Sequence, residues 1–483
     1  MNLTEWEAAS LAPLKYLPHL SREEVQTPVK MALDVVGCIN EEIIGNPKSK
    51  YLVLGSKDGI FAKVLEYRLM HEMQGEFANE REKIEHILHH QIFVYCTSEL
   101  AADLSRKTLY GDVDARRCGF QDSNGLVKFA SDADSQWWKP KDRDETCDTA
   151  LNEVFGLKFD AIIGNPPYQA PTAARSESIA QATPIYNLVV EGAAKLRPKQ
   201  LVMIIPSRWM TGGWGLDKFR TFMSNGHVDE LHDYENAADC FRSVDIKGGV
   251  CWFSYRPEYS GNCLFVAHHA DGTVHSESRP MMDGFDAVVR RAECLKILKH
   301  LKQFDRKPFS SIVSAMNCFG ITHKQVLQVP VLPEDAPGTV KIYGYDSGGM
   351  HIWNVDGSIV KACEDAVGKW KVFIAKAAGT GSLATDVFRP IVAGPGTACT
   401  WTYLMIGPFD TQEEAESAAS YVRTKLAHLC IGILKDSHNV LRQMYRFLPL
   451  VDFRNGLWTD KRVFEEFSLP ADCIQTVDGL IWT

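Results

Sequence analysis

No Cys-x-x-Cys pair occurs in this sequence. Its 13 cysteines are scattered singly over 483 residues, which argues against both a disulfide framework and a zinc finger. Cys118 and Cys147 share one irregular stretch, but two lone thiols are weak grounds for a metal, and the cysteines are expected to be reduced and partly buried. Long apolar runs are missing too, so a membrane span is not expected. The N-terminal Met1-Asn2-Leu3-Thr4-Glu5-Trp6-Glu7 carries acidic residues where a secretion signal has basic ones, and a cytoplasmic location is the expectation. Basic excess is also lacking: 52 Lys and Arg against 61 Asp and Glu leave a net charge of −9. That balance is a warning against assigning a nucleic-acid substrate on charge, because phosphate contacts need Lys and Arg. Internal repeats and low-complexity tracts are absent as well.

What is present describes an ordinary globular chain, 45% apolar and 23% charged, long enough for two or three domains. Its charge is uneven. Residues 1–260 hold 29 basic and 37 acidic side chains, and residues 261–483 hold 23 and 24. Between Arg290 and Pro330, eight basic residues (Arg290, Arg291, Lys296, Lys299, Lys302, Arg306, Lys307, Lys324) face only Glu293 and Asp305. Such a run is either a solvated helix face or a surface that tracks a phosphate backbone. Up to about residue 260, apolar strands (51–54, 91–96, 159–163, 201–205, 228–234, 250–255) alternate with helical stretches (24–39, 60–70, 99–107, 184–196). This is the pattern of a parallel α/β sheet. Residues 112–150, rich in Asp, Gly, Ser and Lys, have no period and form an insertion longer than compact connections usually are. Beyond the polar stretch 258–262 the pattern changes to a helix at 283–303, short strands around 320–346 and 370–408, and a helix pair at 411–436. The domain break is therefore expected near 258–262.

The most informative run is Lys158-Phe159-Asp160-Ala161-Ile162-Ile163-Gly164-Asn165-Pro166-Pro167-Tyr168-Gln169. An apolar strand runs into a stiff polar turn, at the strand end where open α/β sheets bind ligands. Asn165 offers a side-chain carbonyl oxygen and Pro166 a main-chain one, enough to accept both N–H groups of an exocyclic amine. The prolines fix φ at successive residues, and Pro167 restricts Pro166, so these acceptors are held still. Tyr168 supplies an aromatic face on which an extruded base can stack. The run reads as the catalytic loop of an amino-methyltransferase; the plain alternative is a Pro-Pro turn after a buried strand. A methyltransferase must also hold S-adenosylmethionine, which in doubly wound sheets lies across the ends of the first strands over a Gly-containing turn. That turn offers Gly55 and Gly59, followed by Phe61. Glu99, with Asp103 a turn later, is the candidate acceptor for ribose hydroxyls, and Asp112 the candidate for the cofactor's adenine amine. Each has a plain alternative, Glu99 as a first-turn helix carboxylate and Asp112 as a solvated side chain.

In this order the motifs resemble the N6-adenine DNA methyltransferases of type II restriction-modification systems, in the gamma arrangement. The resemblance rests on the Thr27-Pro28 helix, Gly59-Ile60-Phe61, Gln91-Ile92-Phe93 with Ser98-Glu99-Leu100, the run from Phe159 to Gln169, Ile205-Pro206-Ser207-Arg208-Trp209, and Asp245-Ile246-Lys247-Gly248-Gly249-Val250-Cys251. In the second half, Thr402-Tyr403-Leu404, Ile406-Gly407-Pro408-Phe409 and Phe447-Leu448-Pro449-Leu450-Val451-Asp452-Phe453 look like the family's target-recognition region. The resemblance implies a Rossmann-like methyltransferase sheet in a catalytic domain over 1–260 and a mixed α+β DNA-binding domain over 261–483. It also implies S-adenosylmethionine as cofactor, double-stranded DNA as partner and a cognate restriction nuclease as a second partner. Asn165, Pro166, Pro167 and Tyr168 are then catalytic. Thr27, Pro28, Gly55, Asp58, Gly59, Phe61, Glu99 and Asp112 hold the cofactor. Arg208, Trp209 and Phe253 border the substrate, with a core position the plain alternative for Phe253 and structural pairing for Arg208. No metal is needed. A nuclease in the same polypeptide is not expected, since about 25 residues precede the first helix motif. One departure stands out: the family's acidic pair before the glycine turn is replaced by Val53-Leu54-Gly55, with Asp58 three residues later as a possible substitute. Two rivals follow, a catalytically silent DNA-binding or decoy homologue and a protein glutamine-amide methyltransferase.

Overall fold

The computed structural model describes residues 26–111, 121–129, 155–169, 184–213, 215–241, 246–346, 348–377, 387–435 and 439–481. Asp112 and most of the 112–150 stretch lie outside them. The chain forms two compact units, Met1–Val288 and Val289–Thr483. No helix of the described residues is long and apolar enough to cross a membrane.

The first unit is built on nine strands: β1 (Tyr51–Ser56), β2 (Ile92–Cys96), β3 (Val127–Phe129), β4 (Ala161–Gly164), β5 (Gln200–Pro206), β6 (Val228–Tyr234), β7 (Val250–Tyr255), β8 (Cys263–His268) and β9 (Val274–Arg279). Their order is β3-β2-β1-β4-β5-β7-β6-β8-β9. The strands from β3 to β5 are parallel, and β7 runs antiparallel to both β5 and β6. Helices α1 (Val29–Gly37), α2 (Ile60–Glu72), α3 (Glu99–Tyr110) and α4 (Tyr186–Lys195) cover the sheet. Every residue of β1, β2 and β4 is buried, because both faces are covered and a period of two sends alternate side chains into two separate cores. Tyr51, Val53 and Ile163 enter one core; Leu52, Leu54 and Ile162 enter the other.

The order of strands places a switch point between β1 and β4. The chain builds β1, β2 and β3 outwards in one direction and then returns to the other side of β1 for β4. The carboxyl ends of strands at such a point diverge in their connections and leave a ligand crevice.

The unit boundary falls later than composition suggests. Past the polar stretch 258–262 the chain returns as β8, parallel to β6, and β9 pairs with β8. A polar turn between two strands of one sheet reads, in sequence, like a linker. The apolar residues Cys263, Phe265 and Ala267 give β8 a buried face in the first unit's core, so the unit runs on to Val288.

The second unit contains two three-stranded sheets. In one, β10 (Thr339–Asp346) lies between β11 (Gly349–Asp356) and β14 (Thr397–Cys399); in the other, β12 (Trp370–Ala375) lies between β13 (Ile391–Ala393) and β15 (Tyr403–Phe409). Helices α5 (Ala292–Lys302), α6 (Gln412–Val422), α7 (Lys425–Gly432), α8 (Asp460–Glu466) and α9 (Ala471–Leu480) complete it. Thr411 and Glu414 form a reciprocal capping box at the start of α6. The basic run around α5 is partly committed within the unit, since Lys296 pairs with Asp472 and Arg306 with Glu466.

Candidate active site at the ends of β1 and β4

The two motifs that sequence places 110 residues apart meet at the switch point. Leu54 pairs with Gly164 in the sheet, so Gly55 and Asn165 follow side by side. Gly55 has φ +74° and interrupts the β1 register. A Cβ at this position would lie 3.0 Å from the Asn165 carbonyl oxygen and 3.2 Å from Pro166 Cα. Glycine is required here on two grounds, the left-handed backbone and the close approach of the Asn165-Pro166 turn. Gly59, at φ +81°, is similarly pressed against the backbone of Ser105 in α3.

Asn165 is 2% exposed. Its carboxamide nitrogen donates to the Thr27 hydroxyl at 3.1 Å. The Tyr168 hydroxyl lies at the buried end of a half-buried ring. Burial pushes this phenol well above its ordinary pKa, while the adjacent Asn165 side chain pulls the other way. The Asn165 amide is packed between Thr27 and the tyrosine. A cavity of about 530 Å³ opens between α1 and strands β6 to β8, bordered by Pro28 and Cys240 among others, and neither Gly55 nor Asn165 lines it.

On the donor side, Glu99 is exposed at the carboxyl end of β2, where it begins α3 behind the Ser98 cap. Leu100 beside it is 55% exposed, an apolar surface next to a carboxylate. Asp58 is differently occupied. It is buried, accepts from Gln26 Nε2 at 2.9 Å and from the Ile60 N–H at 3.0 Å, and so is tied up in the turn that leads into α2. Burial raises its pKa, opposed chiefly by the Gln26 hydrogen bond. It does not present a free carboxylate in place of the missing acidic pair. Phe61 is buried in the first core.

Two candidate substrate contacts are corrected. Trp209 and Phe253 are both fully buried. Trp209 packs edge-on against Phe219, centroids 5.8 Å apart, in a short helical turn after β5 that swings its indole into the core. Phe253 sits in mid-β7, between Met203 and Leu231. Neither ring has a face to offer. Arg208, just before Trp209, is half-buried and engaged within the protein. Two contributors escaped sequence reading. Gln26 ties the glycine turn, and buried Asp233 accepts from Ser207 at 2.6 Å, joining the ends of β5 and β6. The Asp233 signal was a carboxylate near the end of an apolar strand; Gln26 had no signal beyond its neighbour Thr27.

Residues 90–241 match the family model described as Eco57I restriction-modification methylase, a span that contains Glu99, the catalytic run and β5. A curated relative, an uncharacterized adenine-specific methylase of Mycoplasma pneumoniae, is 25% identical over 316 residues, covering 54% of this chain and 74% of the relative. Among solved structures, a nuclease-deletion mutant of the Type ISP restriction-modification enzyme LlaGI, in complex with a DNA substrate mimic, superposes with a TM-score of 0.51 at 10% identity over 91% of this chain. The Type IIL restriction-modification enzyme MmeI, in complex with DNA, gives 0.47 at 10% identity over 92%. The chain spans 55% and 65% of those two proteins. The LlaGI likeness is one of fold. The family model and the curated relative bear out the resemblance to the adenine methylases of restriction-modification systems, and the α/β fold with a mixed C-terminal region is the expected one.

Proposed function

We propose that the chain is an S-adenosylmethionine-dependent DNA methyltransferase that methylates N6 of an adenine extruded from the duplex. The single observation that carries this is the contact between the Gly55 bend and the Asn165-Pro166 turn, which sets a donor site and an amine-binding turn against each other at a switch point. The residues present fit the donor: Gly55 allows close backbone approach, and Glu99 with exposed Leu100 offers a hydroxyl acceptor beside an apolar surface. When bound, the donor supplies an electrophilic methyl group on a sulfonium.

The chain's part is acceptance and alignment. The amine lone pair of adenine is delocalised into the ring and is a poor nucleophile. Hydrogen bonds from its N–H groups to the Asn165 side-chain oxygen and the Pro166 carbonyl favour a pyramidal nitrogen with its lone pair freed. Holding both reactants in line supplies most of the remaining acceleration. Extrusion of the base costs roughly a few kcal/mol, which stacking on Tyr168 helps to offset. Because Asn165 is packed away, admission of the base requires the Tyr168 ring or its neighbours to shift. The second unit is the proposed target-recognition domain.

The closing over of Asn165 and the commitment of Asp58 favour one rival, a silent homologue that binds DNA without turning over. Sequencing of DNA from cells expressing the protein, read for N6-methyladenine, tests the main reading. Methylation at a defined motif, lost at least a thousandfold in Asn165→Ala with the melting temperature little changed, is the expected result. Unmodified DNA together with no calorimetric binding of S-adenosylmethionine would leave the silent homologue standing.

A further inference from the structure

A carboxamide has nearly the same shape in its two flipped orientations, so its hydrogen-bond partners decide which end faces a substrate. For Asn165 this choice matters, because an amine's N–H groups need the oxygen. The nitrogen is held by the Thr27 hydroxyl, 138 residues away in sequence and 7% exposed. A hydroxyl both donates and accepts, so Thr27 enforces this orientation when its own proton is given to another acceptor and its lone pairs face Asn165. The adjoining Gln26 donates to Asp58 in the glycine turn. Residues 26 and 27 thus strap the donor-side turn to the amine-binding turn, one hydrogen bond to each.

We propose that Thr27 is a positioning residue: it holds the Asn165 carboxamide nitrogen inward and the oxygen towards the amine, and the Gln26–Asp58 bond links that setting to the donor-side turn. Resting on the methyltransferase reading, this gives Thr27 a role beyond cofactor contact.

The test compares Thr27→Val, which keeps the shape and removes the hydroxyl, with Thr27→Ser, which keeps the hydroxyl. Expected for Thr27→Val is a kcat at least tenfold lower, with KM for DNA and the calorimetric Kd for S-adenosylmethionine within threefold of wild type; Thr27→Ser should recover kcat to within threefold. An unchanged kcat in Thr27→Val overturns the proposal, and so does a change confined to donor Kd, which would make Thr27 a donor contact alone. A readout independent of turnover accompanies it. In protein labelled with ¹⁵N at asparagine side chains, the Asn165 NH₂ signal, assigned by its loss in Asn165→Asp, should shift in Thr27→Val and return in Thr27→Ser. If wild type fails to methylate, the functional reading falls, and the NMR comparison alone decides the positioning claim. If Thr27→Val does not fold, the same comparisons are made with Thr27→Ala, where signal and kcat matching wild type would overturn it.

Discussion

The two units handle buried polar groups in opposite ways. In the first, Thr27, Asp58, Asn165, Ser207 and Asp233 are all buried near the carboxyl ends of the strands, and their bonds join segments distant in sequence. In the second, the outstanding buried polar group is Lys371, fully enclosed in β12, whose ammonium donates to Val367 O and to Thr397 O and Oγ1. It ties β12 to the first residue of β14. The first group borders the candidate site at the strand ends, whereas Lys371, near the start of β12, fastens the frame of the second unit.

Three substitutions sharpen this contrast, in descending order of effect. Gly164→Ala should do the most. A Cβ there would fall 2.0 Å from the Leu54 carbonyl oxygen, so the two central strands must separate, at a cost of at least about 3 kcal/mol. Thermal melting should show a loss of soluble, cooperatively folding protein; a wild-type melt would contradict the geometry. Lys371→Met should destabilise by about 3 kcal/mol by leaving buried carbonyls unpaired, read by urea denaturation, with donor affinity unchanged. Its pH signature has a definite sign. Burial pushes Lys371 down to about 8 from the ordinary lysine value. Between that value and the ordinary one, the unfolded chain binds the proton and the folded chain does not, so stability rises with pH across the window. The substituted protein should lose that slope. Glu99→Ala should do least to the fold and act on the donor alone: Glu99 is exposed, so melting should not move while the S-adenosylmethionine Kd rises about tenfold, ~1.4 kcal/mol. An unchanged Kd would remove Glu99 from the donor site.

Much of the first unit was legible because its strands are short apolar runs with clear ends. The expected 228–234 and 250–255 coincide with β6 and β7, and 99–107 grew only to Tyr110. The catalytic strand begins at Ala161 rather than Phe159; Phe159 instead joins Phe93 and Phe155 in an edge-on aromatic group, a tertiary choice that periodicity does not reveal. The β8–β9 hairpin was missed because β9 is mostly exposed and polar, and α8 because its two apolar residues, Val463 and Phe464, are too few to set a period. Within the site, the catalytic turn and its glycine partner were readable as local patterns. The Thr27–Asn165 and Gln26–Asp58 bonds were not, since nothing local distinguishes a polar residue bound to a neighbour from one bound across the fold. The same limit explains Trp209 and Phe253, aromatic residues beside a site that turn inward.

Gly164 carries a wider implication. Where β1 and β4 run together, no side chain stands between them, and two main chains alone set the gap between their tips. Any adjustment of the crevice at these tips would have to be made elsewhere on the protein, because this spacing has no adjustable part.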